Sequence, residues 1–497
     1  MPDAFSILHI SDLHRSREDP VTNAELLQAL AQEWERYSRE EPKIRAPDAA
    51  IVSGDIVQGV PIGTPPVDAA TEFDRQYEVA YDFLHELAER FFEGDHARIV
   101  IIPGNHDVDW VTARAAMEPV ELDDWPANLL SELNSPNSPF RLDLNQRPVA
   151  LYRVSDLHNY EARFQRYRAF QDRFYRATSA VIEVPGHDYV KLFELNNERI
   201  VVAAFNSCEN NDCYSRRGAI PKGAIAQTCL QIGDGGKPYE LRVAVWHHGV
   251  QGGPAAVDYM DIDLVWRLIS SDFRLGLHGH QHRSEAMPHQ IRLPEPRSMV
   301  LVSAGSLCAG PRELPTGTNR QYNVIELNGS LDEVRVHVRE LGIAMQFGPR
   351  HLAAFGGRTY TDLDWQPPRT PVGTTPDMTK ARLTKKMLEA ENALRSADHD
   401  AVESLLRPEV ASLNLHGRQL LVQAAIADER WQDVARTLTQ PQSIIELTQL
   451  IKALGAAGKF DDARKMLSTF ANPVGLDSPA EDDLQSWISS QEAVHGK

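Results

Sequence analysis

The chain has 497 residues, 42% of them hydrophobic, and is long enough for at least two buried cores. Its formal net charge of −19 excludes a grip on duplex nucleic acid by phosphate neutralisation alone, which needs a basic surface; a small anionic substrate stays open where metal ions supply positive charge locally. Four cysteines, Cys208, Cys213, Cys229 and Cys308, have neither the number nor the spacing of a disulfide framework or a zinc clip.

The N-terminal stretch MPDAFSILHISDLH lacks a basic region and a sufficient apolar run for a leader peptide. No apolar run reaches the length of a membrane span, so the expectation is a soluble cytoplasmic protein without a membrane partner. The first predicted strand, FSILHI, runs directly into SDLH, and an amphipathic helix, AELLQALAQEWERYSRE, follows. The next strand, AAIV, stops at SGD. A second helix, EFDRQYEVAYDFLHELAERFF, leads to the strand ARIVII, which stops at PGNHD. The alternation implies a layered α/β domain with its chemistry at C-terminal strand ends.

A long segment then separates GNHD from the next strand of this kind. Within it, YEARFQRYRAFQDRFYRA sets Phe164, Tyr167, Phe170 and Phe174 at helical spacing among arginines. Two readings stand: a cap offering arginines and aromatic faces to a nucleotide, or a helix that packs its aromatics on the core beneath a solvated basic face. CYSRRG places Arg216 and Arg217 near a strand end, either as phosphate contacts or as part of an exposed loop. The strands RVAVW before HHG, FRLGL before HGHQH and SMVLV before SAGS follow, and QYNVIELNG and EVRVHVREL complete the sheet. Three regions result: a catalytic domain over residues 1–345, a Gly-, Pro- and Thr-rich linker or wrapping segment over 346–376, and an all-α domain over 377–497. In the last, HDAVESLL, WQDVARTL and FDDARKML align, which suits either a tetratricopeptide-like repeat array or an ordinary helical bundle.

Five strand ends thus present Asp12 and His14, Asp55, Asn105 with His106 and Asp107, His247 with His248, and His280 with His282. Such residues weaken strands and cost energy when buried without partners, so one shared site accounts for them best. Carboxylates, imidazoles and one amide, with no thiolate, suit hard or borderline divalent ions. There are more ligands than one ion needs, which points to a dinuclear centre. His9, inside the first strand, and His278 read as packed or supporting residues.

In order and strand context, DLH, GD, GNHD, a strand-end His and GHQH resemble the blocks of the calcineurin-like metallophosphoesterases. The resemblance spans residues 5 to 340 and implies a layered β-sandwich flanked by helices. It further implies that Asp12, His14, Asp55 and His282 hold one ion and that Asp55, Asn105, His247 and His280 hold the other, Asp55 bridging. The ions would be divalent, manganese first, with iron, zinc or nickel as alternatives. His106 would protonate the leaving oxygen while a metal-activated hydroxide attacks phosphorus, and Asp107 would orient His106. His248 then faces substrate or supports the ligands. PGNHDV and HH look most like the branch with class III cyclic-nucleotide phosphodiesterases, so the expected substrate is a phosphodiester of a nucleotide or nucleic acid. The alternative is a partner-directed module whose helical tail recruits it to a complex, where it acts as a nuclease or phosphomonoesterase.

Overall fold

The run FSILHI forms the strand Phe5–Ile10, buried at every position, as expected of a strand covered on both faces. It belongs to a computed structural model that describes residues 4–16, 21–134, 138–144, 146–178, 180–187, 190–250, 258–291, 296–310, 313–342, 344–365, 378–413, 415–476 and 478–495. Phe5–Ile10, Ala49–Val52 and Ile99–Ile101 lie side by side and parallel. SDLH, SGD and PGNHD, which follow them, therefore emerge at one edge. Gln321–Leu327, Glu333–Leu341, Phe347–Pro349 and Tyr360–Asp364 extend this sheet on the other side of the first strand.

In a second seven-stranded sheet, Ile200–Ala204, Leu241–Val245, Leu275–His278 and Arg297–Ser303 are parallel. They bring HH and GHQH to a common edge as well. The two edges are seamed together: Ser11 and Ser306 form a parallel bridge, the Leu307 N–H donates to the Ser11 carbonyl (3.0 Å) and Ser306 Oγ donates to the Asp12 carbonyl (2.7 Å). All the ligand blocks thereby meet at the seam.

Between the sheets, Val202, Val243, Leu277 and Val302 share one apolar core with Ile7, Ile51 and Val100. Full burial of each such side chain stabilises the fold by roughly 1.5–3 kcal/mol. Val201, Ala244 and Met299 point the other way, into a cluster with the helices Ala224–Asp234 and Ile262–Ser270. The helices Asn23–Arg36 and Pro66–Phe91 add Leu27, Leu30, Phe73 and Leu84 to the inner cluster. The first of these starts where it does because Thr22 and Glu25 form a reciprocal capping box. The result is a layered β-sandwich with helices outside.

The structure decides between the two readings of the aromatic segment. The aromatic segment is the helix Gln165–Tyr175, with Tyr167, Phe170 and Phe174 buried. Phe170 packs on Tyr77 (4.9 Å between rings), while Arg166 and Arg173 pair with Asp74 and Glu78 of the Pro66–Phe91 helix. Its aromatics serve the core and its Arg166 and Arg173 are neutralised by the neighbouring helix, which fits the core-packing reading and not a cap over the site. The inserted segment also carries a small sheet of Met117–Val120, Phe140–Asp143 and Ala150–Val154. In the stretch 346–376, expected as a linker or wrapping segment, Phe347–Pro349 and Tyr360–Asp364 pair as strands with Glu333–Leu341, and Trp365 is buried in the core. Residues 366–376 lie outside the described residues.

The chain separates into two compact units, Met1–Pro368 and Arg369–Lys497. The second consists of the helices Met378–Arg395, His399–Leu406, Leu415–Ala427, Trp431–Thr437, Ile444–Ala456, Phe460–Phe470 and Ser478–His495. It has apolar clusters of its own around Leu421 and Leu450. Within it, Arg418 donates to the fully buried Glu446 (2.7 Å).

Candidate metal centre

Five of the predicted ligands follow their strands in a left-handed backbone conformation: φ is 51° at Asp12, 45° at His14, 51° at Asp55, 73° at His280 and 51° at His282. Most non-glycine residues avoid this region, and each such residue costs about 1–3 kcal/mol and persists only where its surroundings impose it. Here paired loops impose it. The Asp12 and His14 N–H groups donate to the Gly54 and Asp55 carbonyls (3.0 and 2.9 Å), so the first two loops run as one ladder. Gly104 and Gly279 are needed for close approach: a Cβ on Gly104 would collide with the Asp55 carboxylate, and one on Gly279 with Ser11 and Asp12.

The side chains gather into two groups that share Asp55. Ligand atoms of Asp12, His14, Asp55 and His282 lie within 4.8 Å of one another, as do those of Asp55, His247 and His280. Asn105 joins the second group, its Oδ1 3.1 Å from His247 Nε2. His247 Nδ1 donates to the Ser53 carbonyl (2.8 Å) and His282 Nδ1 to the Glu313 carbonyl (2.8 Å). A carbonyl only accepts, so these bonds place a proton on Nδ1 and aim Nε2 into the site. His247 Nε2 meets Asp55 Oδ2 at 3.2 Å, and His282 Nε2 meets Asp12 Oδ1 at 3.1 Å and His14 Nε2 at 3.2 Å. Lone pairs that face one another in a buried site demand positive charge among them. The donor set fits two divalent ions.

The electrostatics agree with that demand. Burial alone would push the Asp55 and Asp12 carboxyls up, yet His247 and His106 beside Asp55, and His282 beside Asp12, outweigh it and hold both well below the usual range. Burial opposes a charge on His247 and His282, but the Asp55 and Asp12 carboxylates prevail and lift both imidazoles to about 9. His14 behaves oppositely. Burial, then the nearby His106, lower it to about 4, leaving a neutral ring with a lone pair to give.

His106 stands edge-on to His14, with ring centroids 4.6 Å apart. Its backbone N–H donates to Asp55 Oδ1 (2.8 Å) and its Nδ1 to the Gln58 carbonyl (2.6 Å). Asp107 does not orient it. The Asp107 carboxylate is buried and accepts from the Gly104 and Ile56 N–H groups (2.8 and 3.0 Å) and the Tyr77 hydroxyl (3.2 Å). It clamps the second strand-end loop to the third, and burial with the neighbouring Asp55 charge pushes it up to about 7.

His248 does not face substrate: it is fully buried, Asn211 Nδ2 donates to its Nε2 (3.1 Å) and its Nδ1 donates to Ser207 Oγ (2.9 Å). Ser207 Oγ also accepts from the His247 N–H (3.0 Å), so His248 supports the ligand loop. Arg217 is paired with Asp261 (2.9 Å). Exposed Arg216 lies over the Trp110 ring (5.6 Å), and Trp110 is 6.3 Å from His106 between centroids. His9 and His278 are buried, burial holding them near 3 and 4; His9 meets Ser53 Oγ (3.0 Å) and His278 stacks on Trp246.

Several contributors escaped the sequence reading. Gln58, Ser53 and Glu313 act through their carbonyls, which no residue type advertises. Ser207 and Asn211, in FNSCENND, follow a strand and could have been noticed by that position. Asp258, 3.3 Å from His280 Nε2, carries no sequence signal.

The family model of calcineurin-like phosphoesterases matches residues 5–284. Among solved structures, a dimetal phosphatase from Danio rerio aligns at 12% identity over 68% of this chain and 96% of its own, with a TM-score of 0.35. GAP50, the anchor in the inner membrane complex of Plasmodium, aligns at 11% over 74% and 91%, TM-score 0.32. The calcineurin-like phosphoesterase YfkN from Bacillus subtilis aligns at 11% over 73% and 91%, TM-score 0.28. No curated protein matches the chain. The chain belongs to the calcineurin-like phosphoesterase family. Membership makes it a metal-dependent hydrolase of phosphate esters.

Proposed function

We propose that the chain hydrolyses phosphodiester bonds of nucleotides or nucleic acid, with Asp12, His14, Asp55 and His282 holding one divalent ion and Asp55, Asn105, His247 and His280 the other, manganese by preference. Such ions supply Lewis acidity and an activated water at neutral pH. The remaining work falls to side chains. His106, its Nδ1 fixed by a carbonyl, has Nε2 available to protonate the leaving oxygen. The observation that carries the diester reading is the set of His106, Trp110 and Arg216 in a row. A proton donor marks the side on which the leaving group departs. On that side an indole face and a guanidinium suit a nucleotide's ring and phosphate.

Hydrolysis of bis-p-nitrophenyl phosphate, cyclic nucleotides, short single-stranded DNA and p-nitrophenyl phosphate, each with added manganese, tests this. Nucleotide diesters should be preferred, and Arg216→Ala should raise their KM more than that of bis-p-nitrophenyl phosphate. Turnover of monoesters alone overturns the reading. A second reading rests on exposed Leu415, Ile426, Ile444 and Ile445 in the helical unit: those residues bind a protein partner that directs the hydrolase. Light scattering on the purified chain and on a Leu415→Ser, Ile445→Ser variant separates a self-assembling tail from one that waits for another protein.

A further inference from the structure

The two imidazoles that do different work at this centre, His106 and His282, come from different sheets, and each is aimed by the carbonyl of a residue far away in sequence. Gln58 aims His106 (2.6 Å) and Glu313 aims His282 (2.8 Å). The side chains of these two residues meet directly: Gln58 Nε2 donates to Glu313 Oε1 at 2.7 Å. Glu313 Oε2 accepts from the Gly310 N–H (2.9 Å). Gln58 is steadied from the opposite direction, since Gln76 exchanges hydrogen bonds with the backbone of the next residue, Gly59 (3.0 and 3.2 Å). A continuous hydrogen-bonded path therefore runs from Gln76 through Gln58 and Glu313 to His282, with His106 attached at Gln58.

We infer that Gln58 and Glu313 are a positioning pair that sets the relative placement of the proton donor His106 and the metal ligand His282. This inference rests on the hydrolytic reading above. Neither side chain reaches the reacting atoms. Their effect is geometric: Ser11–Leu307, Asp12–Ser306 and Arg15–Cys308 also join the two edges, but the Gln58–Glu313 bond directly links the two residues whose carbonyls aim the rings. Proton donation to a leaving group tolerates little displacement, and a misplacement near 1 Å is enough to cost about a hundredfold in rate.

The test uses the full chain loaded with metal. Gln58→Ala and Glu313→Ala should each lower kcat on bis-p-nitrophenyl phosphate about tenfold, a fraction of what full misplacement costs. KM should stay within about twofold, two metal ions per chain should be retained, and the double variant should be no worse than either single one, because both remove the same bond. Gln58→Glu places two carboxylates together and should be at least as slow; adding Glu313→Gln restores a donor opposite an acceptor and should recover most of the turnover. Independently of activity, the downfield ring N–H protons of His106 and His282, followed by NMR in zinc-loaded protein, should broaden together in Glu313→Ala. Unchanged ring N–H signals, additive losses, or a Gln58→Glu, Glu313→Gln pair no faster than Gln58→Glu alone would overturn the inference. A wild-type chain that hydrolyses no phosphate ester would sink the hydrolytic reading instead, with the NMR result still deciding the pair.

Discussion

At the scale of single residues, the proposed mechanism divides the centre into groups that would bind ions and one, His106, that would move a proton. Asp55→Asn should weaken both metal sites, since Asp55 belongs to both ligand groups, and titration with manganese should show fewer than two ions bound. His106→Ala should keep both ions and lose turnover by roughly 10²–10⁴-fold, the range for removing a general acid. Metal loss in that variant, with activity per bound pair unchanged, would make His106 a ligand. Gly104→Ala should lose metal without any ligand being altered, because the new methyl would displace the Asp55 carboxylate; elemental analysis checks it. The convergence of the candidate ligands was legible in the sequence because Asp and His weaken the strands they follow and are costly to bury, so five strand ends that all carry them point to a shared task. The roles of Asp107 and His248 were not. Each has a backbone amide or a buried side chain as partner, and only the fold decides that Asp107 faces Gly104 and Ile56 while His248 faces Ser207 and Asn211.

At the scale of elements, the apolar strands announced themselves, even Ile99–Ile101 with three residues, and the more polar ones late in the chain did not. Phe347–Pro349 and Tyr360–Asp364 have three and five residues and sit among glycine and proline, so no alternation survives to be read. They matter because they pair with Glu333–Leu341. A chain ended at residue 345 should lose these strands and part of its stability, whereas one ended at Pro368 should stay soluble and hydrolyse bis-p-nitrophenyl phosphate at the full-length rate. Comparing the melting curves of the two truncations checks this. The helical unit offers the complementary test. Glu446→Ala would leave Arg418 buried without its partner, a change that typically destabilises by about 3–5 kcal/mol. Its unfolding should move to lower temperature while kcat stays unchanged, and an equal loss of kcat would show that the tail takes part in catalysis.

For the whole molecule, no helix among the described residues is long and apolar enough to cross a membrane, and the acidic surface implied by a charge of −19 will repel nucleic acid except where metal ions gather. Chelation should therefore abolish binding of single-stranded DNA as well as hydrolysis, which a gel-shift with and without EDTA would reveal. The left-handed backbone at Asp12, His14, Asp55, His280 and His282 also carries a consequence for stability. At the histidine positions His14, His280 and His282 stability and metal binding can pull in opposite directions, since glycine or asparagine would relax the backbone but remove the imidazole. His282→Asn, which substitutes a side chain tolerant of that conformation, should melt no lower than wild type in EDTA and clearly lower than wild type in manganese. The backbone strain at these positions is thus tolerable to the fold chiefly when bound ions stabilise the loops that carry it.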